Sequence, residues 1–351
     1  MHMADALLAP AVAATMYVAS GVAAGVSAHQ LKKEDEDGKR LPVMAVSAAL
    51  VFAGQMINYT IPGTGSSGHL CGGMLLASLL GPQAGFLSMI VILAIQGLFF
   101  GDGGLMALGA NCWNMAFYGC FVGYYLLWRP IMNSKLFASR GEAAARRVRI
   151  ILASVLGCVV TLQLGAFSVV IETSLSGITE LPFGAFCALM QPIHLAIGLI
   201  EGLVTAAVLV FISEARPELL KGCGTEKETG KLSLKSTVIV IAVAVLLIGG
   251  GFSQLASSNP DGLEWSLFGN EEYEGAENMG LDEEDYGVQS AAADTAAAIQ
   301  EKTAFLPDYA FADSDSAAGT SVSGVVGSVM VAAAALGLCL LCGFFRKRKK
   351  A

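Results

Sequence analysis

Residues 150–171 read Ile150-Ile-Leu-Ala-Ser-Val-Leu-Gly-Cys-Val-Val-Thr-Leu-Gln-Leu-Gly-Ala-Phe-Ser-Val-Val-Ile171, with no charged side chain from end to end. A bilayer core takes about 20 apolar residues to cross as a helix, and only a helix or closed barrel satisfies its own backbone there. The stretch therefore predicts a membrane-spanning helix near 150–172. Comparable runs lie near 9–28, 43–60, 69–80, 83–99, 105–128, 187–212, 236–256 and 322–345. The expected fold class is an all-α polytopic membrane protein with about nine transmembrane helices. Gly81-Pro82 divides the weakest pair, and 69–80 is short for a full crossing.

Composition agrees. Hydrophobic residues make up 54% and charged residues 14%, against about 25% charge in soluble proteins. Mean hydropathy is +0.62. A secretory signal is disfavoured, because Asp5 stands where a basic n-region would be.

Basic residues orient the spans. They gather in 129–149 (Arg129, Lys135, Arg140, Arg146, Arg147, Arg149), in 214–235, and in the tail Arg346-Lys-Arg-Lys-Lys350. These segments are expected in the cytoplasm, whereas the loop 29–41 is mixed in charge. Counting back through nine spans puts Met1 outside, together with 61–68, 100–104 and 173–186. The expected division is a seven-helix membrane domain over 1–213, a cytoplasmic linker over 214–235, and a two-helix domain over 236–351. The last contains an outer segment, 257–321, with fifteen Asp or Glu and one Lys. Such composition favours a solvated, loosely ordered loop, and a metal-concentrating role is the alternative.

The chain begins Met1-His2-Met3. A histidine in second place puts its ring beside the α-amine and its own backbone nitrogen, so two small chelate rings can close on one ion. A planar nitrogen set of this kind suits Ni(II), Cu(II) or Co(II). The glycine- and serine-rich loop Ile61-Pro-Gly-Thr-Gly-Ser-Ser67-Gly-His69 carries the other outer histidine. His69 either supplies a fourth donor or simply packs at a span entrance. Asp102 lies in a glycine turn, and Asn111 and Asn114 are three apart on one predicted helix face. These residues, with Ser67 and Gln96, are candidates for a supporting shell, or for plain helix packing. Glu201 is an acid at membrane depth, which is costly unless paired or functional. It is expected to pair with His194 or to contact a partner subunit. Gly21 and Gly25 have small-xxx-small spacing. Cys339-Leu-Leu-Cys342 has CxxC spacing without flanking ligands. The chain has no P-loop, HExxH or GxSxG pattern, so any ATP hydrolysis belongs to other subunits.

Met1-His2-Met3-Ala-Asp5, Gly65-Ser-Ser-Gly-His69-Leu-Cys-Gly-Gly73, Gln96-Gly-Leu-Phe-Phe-Gly-Asp102-Gly-Gly and Leu108-Gly-Ala-Asn111 together resemble the CbiM/NikM family over most of 1–213. Those proteins are substrate-binding membrane components of energy-coupling factor (ECF) transporters for cobalt or nickel. Pro260-Asp261-Gly262-Leu263-Glu264 is similar to the signature of the small CbiN/NikN component. The whole chain thus resembles a fusion of the two, and the acidic 266–321 departs from the pattern. The resemblance implies that Ni2+ or Co2+ is held by the Met1 amine, the His2 backbone and ring nitrogens, and His69. It also implies partners: a transmembrane coupling protein and cytoplasmic ATPases. The planar donor set and the fusion favour nickel. Two other readings compete: an ATP-independent metal channel or efflux protein, and a membrane enzyme using Glu201 and His194.

Overall fold

The computed structural model describes residues 1–34, 41–225, 230–270, 272–273, 278–282, 286–311, 316 and 318–350, without side chains at 32–34, 41, 140 and 339–350. The acidic stretch of the first loop, Lys227, parts of the acidic segment, the CxxC pair and the basic tail's side chains lie outside the described residues.

Twelve α-helical stretches and one small hairpin follow in order among the described residues. They are α1 (Pro10–Glu34), α2 (Leu41–Gln55), the antiparallel pair β1 (Tyr59–Ile61) and β2 (Ser66–Gly68), α3 (Gly73–Leu80) and α4 (Pro82–Ile95). A continuous helix then runs as α5 (Leu108–Asn111), a π-helical stretch Cys112–Trp128, and α6 (Arg129–Met132). After it come α7 (Glu142–Leu175), α8 (Phe183–Ala215), α9 (Leu234–Gly250), α10 (Gly262–Phe268), α11 (Ala291–Thr303) and α12 (Ala318–Lys350).

Among the described residues five helices are long and apolar enough to cross a membrane: Pro10–Leu31, Pro82–Phe100, Glu142–Leu175, Phe183–Ala215 and Ala318–Leu338. Pro42–Gln55 and Leu234–Gly250 are shorter apolar helices. The expected span 69–80 is not a full helix. Its helix begins only at Gly73, and eight residues rise about 12 Å. Ahead of it, His69 to Gly72 are irregular, and Gly72 takes φ +82°. Irregular backbone inside a helical bundle needs partners. Glu201 of α8 provides them, because its two oxygens accept the N–H groups of Cys71 and Gly72, each at 2.9 Å. The expected pairing of Glu201 with His194 does not occur. His194 Nδ1 instead donates to the Met190 carbonyl one turn earlier, at 2.8 Å.

Small residues let helices approach closely at other positions. Gly198 and Gly202 of α8 lie against Val159 and Val155 of α7, where a Cβ would sit 2.9 Å and 2.6 Å from the valine Cα atoms. Around Gly21 and Gly25 there is open space.

The described parts of the acidic segment are more ordered than its composition suggests. Asp261 caps α10 in a capping box with Glu264, and Ser290 caps α11. Gln300 donates to the carbonyls of Gly97 and Gly103, both at 2.8 Å. Phe305 and Tyr309 pack on Phe99 and Phe100. These anchors supply apolar burial that charge counting does not detect. Both hydrophobic cores draw on each end of the chain: α12 packs along α2 and α9, while Leu263, Trp265 and Leu267 join Met1, Met3 and Leu7.

The basic segments 129–149 and 214–235 meet at one end of the bundle. Lys221 N–H donates to the Ser78 carbonyl, Trp128 donates to the Lys221 carbonyl, and Arg149 donates to the carbonyls of Met132 and Ser134. Arg149 and Glu172 stand about 35 Å apart along α7. Glu172 marks the opposite end, where the chain's first residues lie.

Candidate metal centre

The first eight residues insert into the bundle. Met3, Leu7 and Leu8 are buried, and Met1 is 4% exposed. Asn111 accepts the Met3 N–H at 2.8 Å and donates to the Met3 carbonyl at 3.2 Å, so one side chain replaces a neighbouring strand. Asn114 lies beside it, donating to Met3 Sδ at 3.5 Å and to Glu172 at 2.8 Å. The two asparagines therefore converge on Met3 and hold the terminus in place. Asp5 accepts the Ala107 N–H at 2.9 Å. Gly103, at φ +81°, passes close by: a Cβ there would sit 2.9 Å from Asn111 Nδ2 and 3.1 Å from His2 Cβ.

The β1–β2 hairpin delivers His69 to the same place. The His2 and His69 rings stack at 5.1 Å with 13° between their planes. His69 Nδ1 lies 3.0 Å from the Leu70 carbonyl. A carbonyl only accepts, so Nδ1 carries the proton and Nε2 presents a lone pair. Burial, the terminal ammonium and His2 lower the His69 pKa to about 4, which keeps the ring neutral.

Two carboxylates hold the other donors. The Met1 amine pairs with Asp261, and His69 Nε2 is 3.8 Å from the same oxygen. Burial opposes the ammonium, but Asp261 outweighs it, and the net shift is upward. Burial would raise Asp261, yet the ammonium and His69 hold it well below the usual carboxylate range. Asp102 accepts from His2 Nδ1 at 2.8 Å and from the Tyr309 hydroxyl at 2.5 Å. Against the upward push of burial, these contacts bring Asp102 down to about 2.

Ser67 and Gln96 sit further out. Ser67 donates to the Asn259 carbonyl at 2.8 Å, and its N–H to the Pro260 carbonyl at 2.8 Å, fastening the strand that carries Asp261. Gln96 donates to Gln55 at 3.0 Å, and Gln55 to the Cys71 carbonyl at 2.9 Å, bracing the backbone after His69. Glu201 supports that backbone from below. His194 lines a narrow crevice together with Met1 and His69.

Asp261 and Tyr309 were not among the site residues expected from sequence. Asp261 carried a visible signal as the first residue of a D-x-x-E capping pattern. Tyr309 carried none. Among the described residues no group of three or more His, Cys, Asp or Glu side chains is spaced to hold a metal ion. A donor set made from two histidines and the chain terminus falls outside that pattern.

These features define a polytopic helical membrane protein whose polar site opens at one end of the bundle, beside its own N-terminus. A family model described as "Cobalt uptake substrate-specific transmembrane region", CbiM, matches residues 2–219, and a PDGLE domain matches 235–343. The chain belongs to the CbiM family, with a PDGLE domain following in the same polypeptide. An Archaeoglobus fulgidus protein with the provisional name fused nickel transport protein NikMN is 33% identical over 340 residues, covering 95% of this chain and 96% of its own. The fused nickel transport protein NikMN of Rhodobacter capsulatus is 33% identical over 63% of this chain and 64% of its own. The cobalt transport protein CbiM of Sorangium cellulosum is 30% identical over 63% of this chain and 94% of its own. A crystal structure described as a truncated transition metal transporter superposes with a TM-score of 0.50 at 32% identity, over 60% of this chain and 98% of that one.

Proposed function

We propose that this chain is the substrate-binding component of an energy-coupled importer for Ni2+ or Co2+, with the ion captured by Met1, His2 and His69. The observation that carries the reading is the convergence of the Met1 amine and the two histidine rings at one buried point. Covalent geometry fixes the donors. The amine and the His2 backbone nitrogen close a five-membered ring. The His2 backbone nitrogen and His2 Nδ1 close a six-membered ring, whereas Nε2 points away from any such closure. His2 Nδ1 must therefore exchange Asp102 for the ion, and the Met1 amine must exchange Asp261. His69 Nε2 supplies the fourth nitrogen. Four nitrogens in a plane suit Ni2+, and Co2+ is less committed to that geometry.

Charge supports the orientation. The basic end faces the cytoplasm and the site faces outward, by the preference of Lys and Arg for the inner side. Lacking a nucleotide motif, the chain relies on a transmembrane coupling protein and ATPase subunits for energy. The division near 214–235 corresponds to a join between a metal-binding unit and a smaller accessory unit.

The test is metal content after purification. The unmodified chain should bind one equivalent of Ni2+. Placing Gly-Ser ahead of Met1, or changing His2→Ala, should abolish binding. Full-affinity binding by the extended protein would refute the chelate. Reconstituted alone in liposomes the chain should carry no metal flux, and flux there would favour the channel reading.

A further inference from the structure

We propose that the acidic segment forms a collecting vestibule for hydrated divalent cations in front of the metal centre, with Glu264, Asp282 and Asp308 as its working charges. The proposal rests on the capture reading above and extends it to how the ion arrives. A cavity of about 1220 Å3 opens over the site. Its lining among the described residues includes His2, Asp102 and Asp261 together with these three acids, and no Lys or Arg. Glu264 lies on α10, Asp282 follows Leu281, whose N–H donates to the Leu267 carbonyl, and Asp308 lies in the turn Pro307–Tyr309. Three separate parts of the segment thus bring carboxylates to one cavity.

The cavity floor points independently to a ligand. The His2 side chain is 7% exposed, and its Nε2 has no hydrogen-bond partner among the described residues. A buried imidazole nitrogen left without a partner calls for a guest, and the carboxylates lining the same cavity favour one that is positively charged. Burial and the neighbouring Asp102 both push the Asp308 carboxyl upward. Such crowding of like charge is relieved when a dication enters.

A cleft lined by one sign of charge raises the association rate of an oppositely charged ligand, and salt screens the effect. The vestibule therefore acts on arrival, while the nitrogen donors set the residence time. Three substitutions remove charge and keep shape. Glu264→Gln retains an N3 side chain that serves a capping box. Asp308→Asn suits the backbone at φ 49°, a region Asn tolerates. Asp282→Asn is isosteric.

Stopped-flow binding of Ni2+ to the full chain in nanodiscs tests this. The triple variant should associate roughly tenfold more slowly at low ionic strength, with an unchanged dissociation rate and a flatter salt dependence. The double variant Asp282→Asn/Asp308→Asn, which leaves the capping box intact, should show an intermediate loss. An association rate within about twofold of wild type in both variants would overturn the vestibule, as would a loss confined to dissociation. Wild-type chain that binds no Ni2+ at all would overturn the capture reading along with it, so the two failures are distinguishable.

Discussion

The Met1 amine and the Asp261 carboxylate form an ion pair between positions 260 residues apart. The pair joins the first residue of the chain to the signature of its C-terminal part. Asp261 has two tasks at once. One oxygen accepts the N–H groups of Leu263 and Glu264, at 2.8 and 3.0 Å, and so starts α10. The other faces the ammonium. The C-terminal part reaches His2 as well, since Tyr309 holds Asp102, which holds His2. The Met1 amine and the His2 ring are thus each held by a carboxylate that the C-terminal part supplies or contacts.

Removing Asp261 should expose both tasks. In Asp261→Ala a buried ammonium loses its counter-charge and α10 loses its cap, a destabilisation of about 3 kcal/mol. Asp261→Asn keeps the cap, since Asn and Asp are comparable there, and should recover about 1 kcal/mol of the loss. Thermal unfolding of the three proteins in one detergent should rank wild type above Asn above Ala. Equal midpoints for all three would mean the pair carries no stability.

Glu201 makes a sharper case for a structural acid. It sits where α3 begins inside the bundle and satisfies two backbone N–H groups that have no helical partner. Glu201→Ala should cost about 2–6 kcal/mol, because each of the two buried donors left unmade costs roughly 1–3 kcal/mol. The backbone after His69 would slacken with it, so Ni2+ affinity should fall although Glu201 does not touch the ion. His194→Ala should leave that backbone untouched. A variant at Glu201 with wild-type stability and lowered transport alone would point to a role in coupling instead.

Much of this was legible in sequence, and the gaps have physical causes. Apolar runs located the long helices, because length and hydropathy suffice where the solvent is lipid. The stretch 69–80 stayed open between a tilted span and a half-inserted helix, because hydropathy does not distinguish a half-helix preceded by irregular backbone from a tilted span. Chelate geometry drew attention to His2 and His69, since covalent spacing is local. The pairing of Glu201 with His194 failed because a seven-residue spacing is two turns, beyond the reach of adjacent side chains. Tyr309 and the order within the acidic segment were invisible, since both depend on contacts across the fold with Phe99, Phe100 and Asp102.

Asn111 separates holding the terminus from holding the metal. Its amide accepts the Met3 N–H and donates to the Met3 carbonyl, which also accepts the Gly104 N–H at 2.9 Å. Asn111→Ala should loosen residues 1–3 and leave the Met3 N–H unpaired, at about 2 kcal/mol. Nickel affinity should drop roughly tenfold per 1.4 kcal/mol spent reordering the terminus, with the same donor set in the bound complex. An altered absorption spectrum of the nickel complex would instead mean that Asn111 is itself a ligand.

The upward shift of the Met1 amine gives the centre a pH dependence of definite sign. A raised pKa means that the proton stays on the amine to higher pH than on a free terminus. The ion must displace that proton, and also the proton on the His2 backbone nitrogen. His69 adds none, since its pKa near 4 leaves it neutral over the working range. Binding should therefore release roughly two protons, and affinity should rise about 100-fold per pH unit below the amine pKa. The rise should flatten to about tenfold per unit above that pKa, where only the backbone proton remains to be displaced. Calorimetry in buffers of different ionisation enthalpy counts the protons directly. Affinity that stays constant between about pH 6 and 8 would show that neither nitrogen is a donor, whatever the histidines contribute.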